Sequence, residues 1–423
     1  MGLPLACQFA SRGARVIGCD TNERVVSAIN RGEVGFDEPG MEALLRSAHA
    51  CGRLSASGDT EEAVAESEVI VVIIPVLLSG VREAELTGLE QVTRQIARSL
   101  RPGGMVCYET TLPVGTTRNR LRPLLENGGL EAGKDFDLVF SPERVKSRLV
   151  LKNLTIIPKI VGGVCSESAR RAEAFYSEYL GAPVINVGTL EAAELTKLAG
   201  MVYRDVNIAL ANELAAYAEA TGVDFCAVIA AANTDGEANL LLPGIGVGGH
   251  CTPVYPHFVL QDAKRLGLPM LLTESGRKIN EGQPARLFDR LEASGQKLDG
   301  ATIAILGLGF RPGVKEHTAS PAFAIRGEAT RRGAKVLLHD PLYTTEELRT
   351  LCFECLSLDA DTLPSIMVLN TGHSDYMRVD FDSWRARGVR CVIDGRNFWN
   401  GAAVLAAGLR YLSPGILTQS KGQ

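Results

Sequence analysis

Short apolar runs of strand length alternate with helical periodicity early in the chain, give way to helices alone, and then resume. That interruption limits the fold more than any single motif. Runs at 69–74, 105–110, 138–140, 159–161 and 184–187 read as strands, with helices over 89–100 and 166–180 between them. Strands separated by helices build parallel sheets through βαβ units. From about residue 190 to 280 the period is helical, at 190–222, 224–232 and 256–266. The alternation returns with strands at 302–306, 334–339, 365–369 and 389–393 and a helix over 321–332. The expected fold is α/β: two Rossmann-like doubly wound parallel-sheet domains, over 1–188 and 299–423, joined by a helical central region over 189–298.

A chain of 423 residues has room for two to four domains at roughly 100–200 residues each. Lys plus Arg (44) against Asp plus Glu (49) leaves a net charge of −5, so no wholesale attraction to nucleic acid or an anionic membrane is expected. A small-molecule partner fits better. The longest apolar run, 69–78, is broken by Pro75 and falls short of the ~20 residues a spanning helix needs. The opening residues lack a basic segment followed by an apolar stretch, and the expected location is cytoplasmic. The ten cysteines lie at no framework spacing and read as reduced thiols. Cys352 and Cys355 form a C-x-x-C with no second pair, so they read as buried packing, and no metal is expected.

The chain opens with a helix over 3–11, a stop at Gly13 and a strand ending at Asp20. In a dinucleotide-binding unit such a helix points its N-terminus at a pyrophosphate and such an acid meets the ribose hydroxyls. Gly2 stands where the third glycine of the phosphate turn belongs. The first strand and the other two glycines are missing, which leads us to expect a start about a dozen residues upstream. Gly307-Leu308-Gly309 follows a strand, and Asp340 ends the next; this is a second nucleotide site of different shape, or a glycine turn without a ligand. The segment 244–251 holds four glycines and ends in His250 and Cys251. Its amides can close on an anionic or polar group, and its thiol can attack an aldehyde, lose hydride to become a thioester, and be hydrolysed. A buried cysteine closing a tight loop is the alternative. Glu194 and Lys197, one helical turn apart, read as a surface ion pair, although a lysine buried on so apolar a helix needs a partner or a task.

Taken in order, these segments resemble the nucleotide-sugar dehydrogenases of the UDP-glucose/GDP-mannose dehydrogenase type. The resemblance rests on GLPLA at 2–6, GCD at 18–20, EPG at 38–40, ETTLPVGT at 109–116, SPER at 141–144 and PKIVGG at 158–163. It continues with ELTKL at 194–198, GVGGHC at 246–251, SPA at 320–322 and DGRN at 394–397, nearly the whole chain. It implies four-electron oxidation of the C6 alcohol of a nucleotide-sugar to a carboxylate, with NAD as acceptor. By the same resemblance Cys251 traps the aldehyde and carries the thioester, and Lys197 stabilises charge on the reacting oxygen. Glu143 assists water in hydrolysis, and Thr111 stands beside the reacting carbon. Gly2, Asp20 and Thr111 are implied to hold NAD. Gly246, Gly248, Arg311 and Arg396 are implied to hold the nucleotide-sugar, the arginines through bidentate contact with phosphate. His250 leans toward relatives that oxidise UDP-N-acetylhexosamines, with UDP-glucose the other candidate. A homodimer through the long central helix is implied too, as is polysaccharide biosynthesis.

The chain departs from the family pattern at three places. Met201 replaces an asparagine four residues after the lysine, Tyr255 an aspartate four after the cysteine, and Thr318 an arginine before the Ser-Pro-Ala segment. Water or Tyr255 is expected to take over the lost proton transfer. Two other functions stay open: an NAD(P)-dependent dehydrogenase of the 3-hydroxyacid or 6-phosphogluconate type, and a non-catalytic nucleotide-sugar-binding protein.

Overall fold

The apolar runs fold as strands close to their expected places. The computed structural model describes residues 2–36, 38–80, 82–145 and 148–416, and its chain divides into two units, Met1–Gly200 and Met201–Gln423.

In the first unit β1 (Val16–Cys19) pairs in parallel with β2 (Leu54–Ser57). A separate sheet has the order β3 (Val69–Val72), β4 (Met105–Tyr108), β5 (Asp137–Phe140), β6 (Lys159–Gly163), β7 (Val184–Thr189). β4 and β5 are buried along their whole length, as inner strands covered on both faces should be. β3 is equally apolar yet only Val72 is fully buried, because one of its edges has no partner strand among the described residues. Val16 of β1 and Val69 and Val71 of β3 nevertheless pack on one core with Leu5 and Phe9 of the helix Gly2–Ser11. The expected parallel sheet is broken once: β5 and β6 run antiparallel. Between them lies the seven-residue helix Val150–Ile156, whose start is tied by buried Glu38 accepting from the amides of Arg148 and Val150.

In the second unit six parallel strands take the order β10 (Glu354–Cys355), β9 (Lys335–His339), β8 (Thr302–Leu306), β11 (Ile366–Leu369), β12 (Cys391–Asp394), β13 (Arg410–Leu412). Counted from β8 this is the doubly wound 3-2-1-4-5-6 order. Alternate residues serve opposite faces: Ile303, Ile305 and Val368 join one core, and Ala304, Leu306 and Met367 the other. In chain order, after β7 and before β8, come the 32-residue helix Leu190–Thr221 and the helices Phe225–Ala232, Tyr255–Arg265, Leu271–Glu281 and Gln283–Ala293. Among the described residues no helix is long and apolar enough to cross a membrane. All ten cysteines are free, and the packing expected of the C-x-x-C pair is corrected for one of them: Cys352 is exposed at φ 60°, while Cys355, on the edge strand β10, is partly buried against the core.

Candidate active site

Glu143 sits just after β5, where its amide donates to the carbonyl of Glu109 at the end of β4 (3.1 Å). One carboxylate oxygen, Oε1, accepts from the amides of Arg144 (2.6 Å) and Val145 (2.9 Å). The other, Oε2, is buried and has no hydrogen-bond donor among the described residues, with Lys159 Nζ 3.6 Å away. Lys197 comes to the same place, its Nζ donating to the Glu143 carbonyl oxygen at 2.6 Å. Thr111 is buried in the loop that leaves β4. Burial pushes the Glu143 carboxyl upward, but Lys159, the two amides and Lys197 outweigh it and hold the group below the usual carboxylate range.

The surface pair expected of Glu194 and Lys197 does not form. Glu194 is fully buried, and its carboxylate accepts from the Gly115 amide (2.5 Å), the Thr117 amide (2.9 Å) and the Thr117 hydroxyl (2.7 Å). Two buried residues one turn apart on the same helix therefore serve separate loops. Burial raises the Glu194 carboxyl to about 7, against the pull of those hydrogen bonds. A carboxyl raised from 4.5 to about 7 by folding stabilises the fold below pH 4.5 and loses that contribution as pH climbs through 7. Glu194→Gln is expected to flatten this part of the fall in Tm, read by thermal melts across that range.

Of the other residues assigned to NAD, Gly2 opens the first helix and Asp20 follows β1. Gly2 begins an exposed helix N-terminus with no acidic residue in its first turn, and a Cβ there meets nothing within 4 Å. Asp20 is exposed at the end of β1, its Oδ1 accepting from the Asn22 amide at 2.8 Å. The amides of a helix N-terminus suit a diphosphate, and a carboxylate just after a strand suits a hydroxyl, so these residues fit a dinucleotide.

In the second unit the glycine segment is a loop fastened at both ends. The Ile245 amide donates to Gly395 O and the Gly249 amide to Thr318 O, each at 2.9 Å. Arg396 donates through Nη1 to Gly246 O (2.9 Å) and through Nε to Asn370 O (2.6 Å), so its guanidinium holds the loop. Burial draws its pKa down to about 10. Gly248 is required by packing: a Cβ there falls 2.6 Å from Phe310 Cβ. Cys251, half-buried, leads into the helix Tyr255–Arg265, its carbonyl accepting from the amides of Val254 and Tyr255. His250 pairs with Glu316, Arg311 is half-buried after β8, and Met201 is half-buried on the long helix. The Gly307-Leu308-Gly309 turn is closely packed. Asp340 accepts from the amides of Leu308 (2.6 Å) and Gly309 (3.2 Å), so both are occupied, and a Cβ on Gly307 falls 2.4 Å from Thr371 Cβ.

Residues 1–180 match the NAD binding domain of the UDP-glucose/GDP-mannose dehydrogenase family, 191–282 its central domain, and 304–401 its UDP binding domain. The chain belongs to this family. UDP-glucose/GDP-mannose dehydrogenases similar to it include a UDP-N-acetyl-D-mannosamine dehydrogenase of Pyrococcus horikoshii, 35% identical, with 94% of this chain and 93% of that one covered. An NDP-N-acetyl-D-galactosaminuronic acid dehydrogenase of Ralstonia nicotianae is 31% identical, with 96% of each covered. The solved structure of the Pyrococcus enzyme superposes with a TM-score of 0.88, covering 98% of this chain and 96% of that one. A UDP-glucose dehydrogenase from Pyrobaculum islandicum gives 0.87 at 26% identity, covering 98% and 95%. As a family member the chain is an NAD-dependent oxidoreductase acting on a nucleotide-sugar.

Sequence reasoning missed Glu109, Lys159 and Tyr176, which pack behind Glu143, and Asn212, which accepts from the Gly244 amide at 2.9 Å. A signal existed for Lys159: it opens an apolar run that is otherwise all core.

Proposed function

We propose that this chain oxidises the C6 alcohol of a UDP-N-acetylhexosamine to the uronic acid in two NAD-dependent steps. The observation that carries the reading is the Glu143 carboxylate, with one oxygen fixed by two amides and the other buried, 3.6 Å from Lys159 Nζ and without a hydrogen-bond donor among the described residues. A carboxylate held in this way takes a proton from water. NAD, held by the first domain, would supply the hydride acceptor for both oxidations. Lys197 stabilises the alkoxide and later the oxyanions. The Cys251 thiolate adds to the C6 aldehyde, forming the C–S bond of a thiohemiacetal, and loss of the second hydride leaves a thioester. Water then adds as Glu143 takes its proton, the C–S bond breaks, and the thiolate departs with the carboxylate formed. Thr111 stands beside C6. Gly2, Asp20 and Thr111 hold NAD, and Gly246, Gly248, Arg311 and Arg396 the nucleotide-sugar. In this division residues 1–188 bind NAD, 189–298 carry Lys197 and Cys251, and 299–423 bind the nucleotide.

Two similar proteins named for N-acetylated hexosamine chemistry support the substrate class, as does His250 before the cysteine. A panel of UDP- and GDP-sugars with NADH counted against sugar consumed tests it. Two NADH per UDP-N-acetylhexosamine is the expected result. Binding without NADH makes the chain a non-catalytic nucleotide-sugar-binding protein, and turnover of UDP-glucose alone overturns the sugar assignment.

The reading includes a cytoplasmic homodimer in polysaccharide biosynthesis. Leu195 (49% exposed), Tyr203 (56%), Leu210 (45%) and Tyr217 (70%) recur near seven-residue intervals on one helix, a stripe about 80° wide. Light scattering is expected to give twice the chain mass, and the Leu210→Asp, Tyr217→Asp double variant to give the monomer.

A further inference from the structure

Behind Glu143 lies a buried group of charges that the mechanism above leaves unused. Glu109, at the end of β4, is fully buried, Lys159, opening β6, is 5% exposed, and Tyr176, on the helix Ser166–Tyr179, is buried. Lys159 Nζ stands 2.6 Å from Glu109 Oε2 and 3.6 Å from Glu143 Oε2. The Tyr176 hydroxyl donates to Glu109 Oε1 at 2.6 Å, and its ring lies 5.1 Å from the same ammonium. One buried cation thus faces the buried carboxylate of Glu109 and the buried Oε2 of Glu143. Such a group adds little to stability, since desolvation offsets most of the attraction.

We propose that Glu109, Lys159 and Tyr176 are positioning residues for Glu143: Lys159 keeps it ionised, and Glu109, fixed by Tyr176, shares that lysine and so preserves the basicity of Glu143. The proposal rests on the reading of Glu143 as the base of hydrolysis. A base must be ionised at the working pH and still hold a proton when one arrives. Two carboxylates this close without a cation would trap a proton between them, and a lysine on Glu143 alone would make it too weak a base. Sharing one lysine avoids both. The other groups facing Glu143 are Lys197 on its carbonyl and Arg144, whose Nη2 donates to Pro158 O at 2.6 Å. The Cys107 thiol on β4 faces Glu109, Lys159 and Tyr176, and burial keeps it protonated and so uncharged.

The test is the acid limb of the pH-rate profile for UDP-N-acetylhexosamine oxidation by the full chain. Lys159→Met is expected to move the limb up by ~1 pH unit or more. Glu109→Gln moves it down, Tyr176→Phe moves it down less, and Lys159→Arg restores it. KM for both substrates stays within about twofold. Shifts of opposite sign from two neighbours are not produced by loosened packing. A limb that stays fixed, or moves one way in both variants, overturns the proposal. Should Lys159→Met not fold, Glu109→Gln, Tyr176→Phe and Lys159→Arg decide it. NMR titration of the 13C-labelled Glu143 carboxyl, assigned by its loss in Glu143→Gln, reads the same shifts without turnover. If Glu143→Gln hydrolyses the thioester normally, the reading of Glu143 fails. If it blocks hydrolysis while the other variants leave the limb and the carboxyl signal unmoved, only this proposal fails.

Discussion

Cys251→Ser is expected to cut uronic acid formation by ~10³-fold or more while the protein stays folded. A serine hydroxyl is un-ionised at neutral pH and adds weakly to an aldehyde, so the second oxidation loses its covalent intermediate. The loop does not depend on the sulfur for its shape: the amides of Val254 and Tyr255 bond the Cys251 carbonyl, and Gly249 and Ile245 are tied through their own amides. Thermal melts should therefore match the parent while carboxylate, assayed by mass spectrometry, disappears. Unchanged oxidation of every nucleotide-sugar tested would sink the thioester mechanism.

The largest effect on stability is expected from Gly162→Ala, on the order of 4 kcal/mol. A Cβ on Gly162 falls 2.0 Å from the carbonyl oxygen of Thr189 and 3.0 Å from Ala193 Cβ. The first of these is backbone, so no rotamer change relieves it, and β6 must separate from β7 and from the start of the helix Leu190–Thr221. β6 carries Lys159, and that helix carries Glu194 and Lys197, so the site is disturbed along with the fold. A fall in Tm of roughly 10 °C is the corresponding reading. A melt within a degree of the parent would mean that this contact is looser than its geometry requires.

Most strands and the long helix were legible because each rests on one local rule: an apolar run of strand length, or apolar residues at helical spacing. β2, β10 and β13 were not, since LSAS carries little apolar pattern and β10 and β13 have only two and three residues. The antiparallel entry of β6 depends on how the chain returns after Val150–Ile156, which no local pattern records. At the site, the segment holding Glu143 was recognisable as a motif. What surrounds it was not, because Glu109, Lys159 and Tyr176 meet from positions 109, 159 and 176, and spacing within one element says nothing of such a meeting. Glu194 and Lys197 misled for the opposite reason: their spacing suggested a partnership that burial divided between two loops.

Among the described residues β1 and β3 each keep one edge without a partner strand, a row of backbone donors and acceptors beside apolar side chains that are only partly covered. Such an edge is a template for an extended chain. Both strands pack on one core, so an extended segment paired with the two edges would join β1–β2 and β3–β7 into a single sheet.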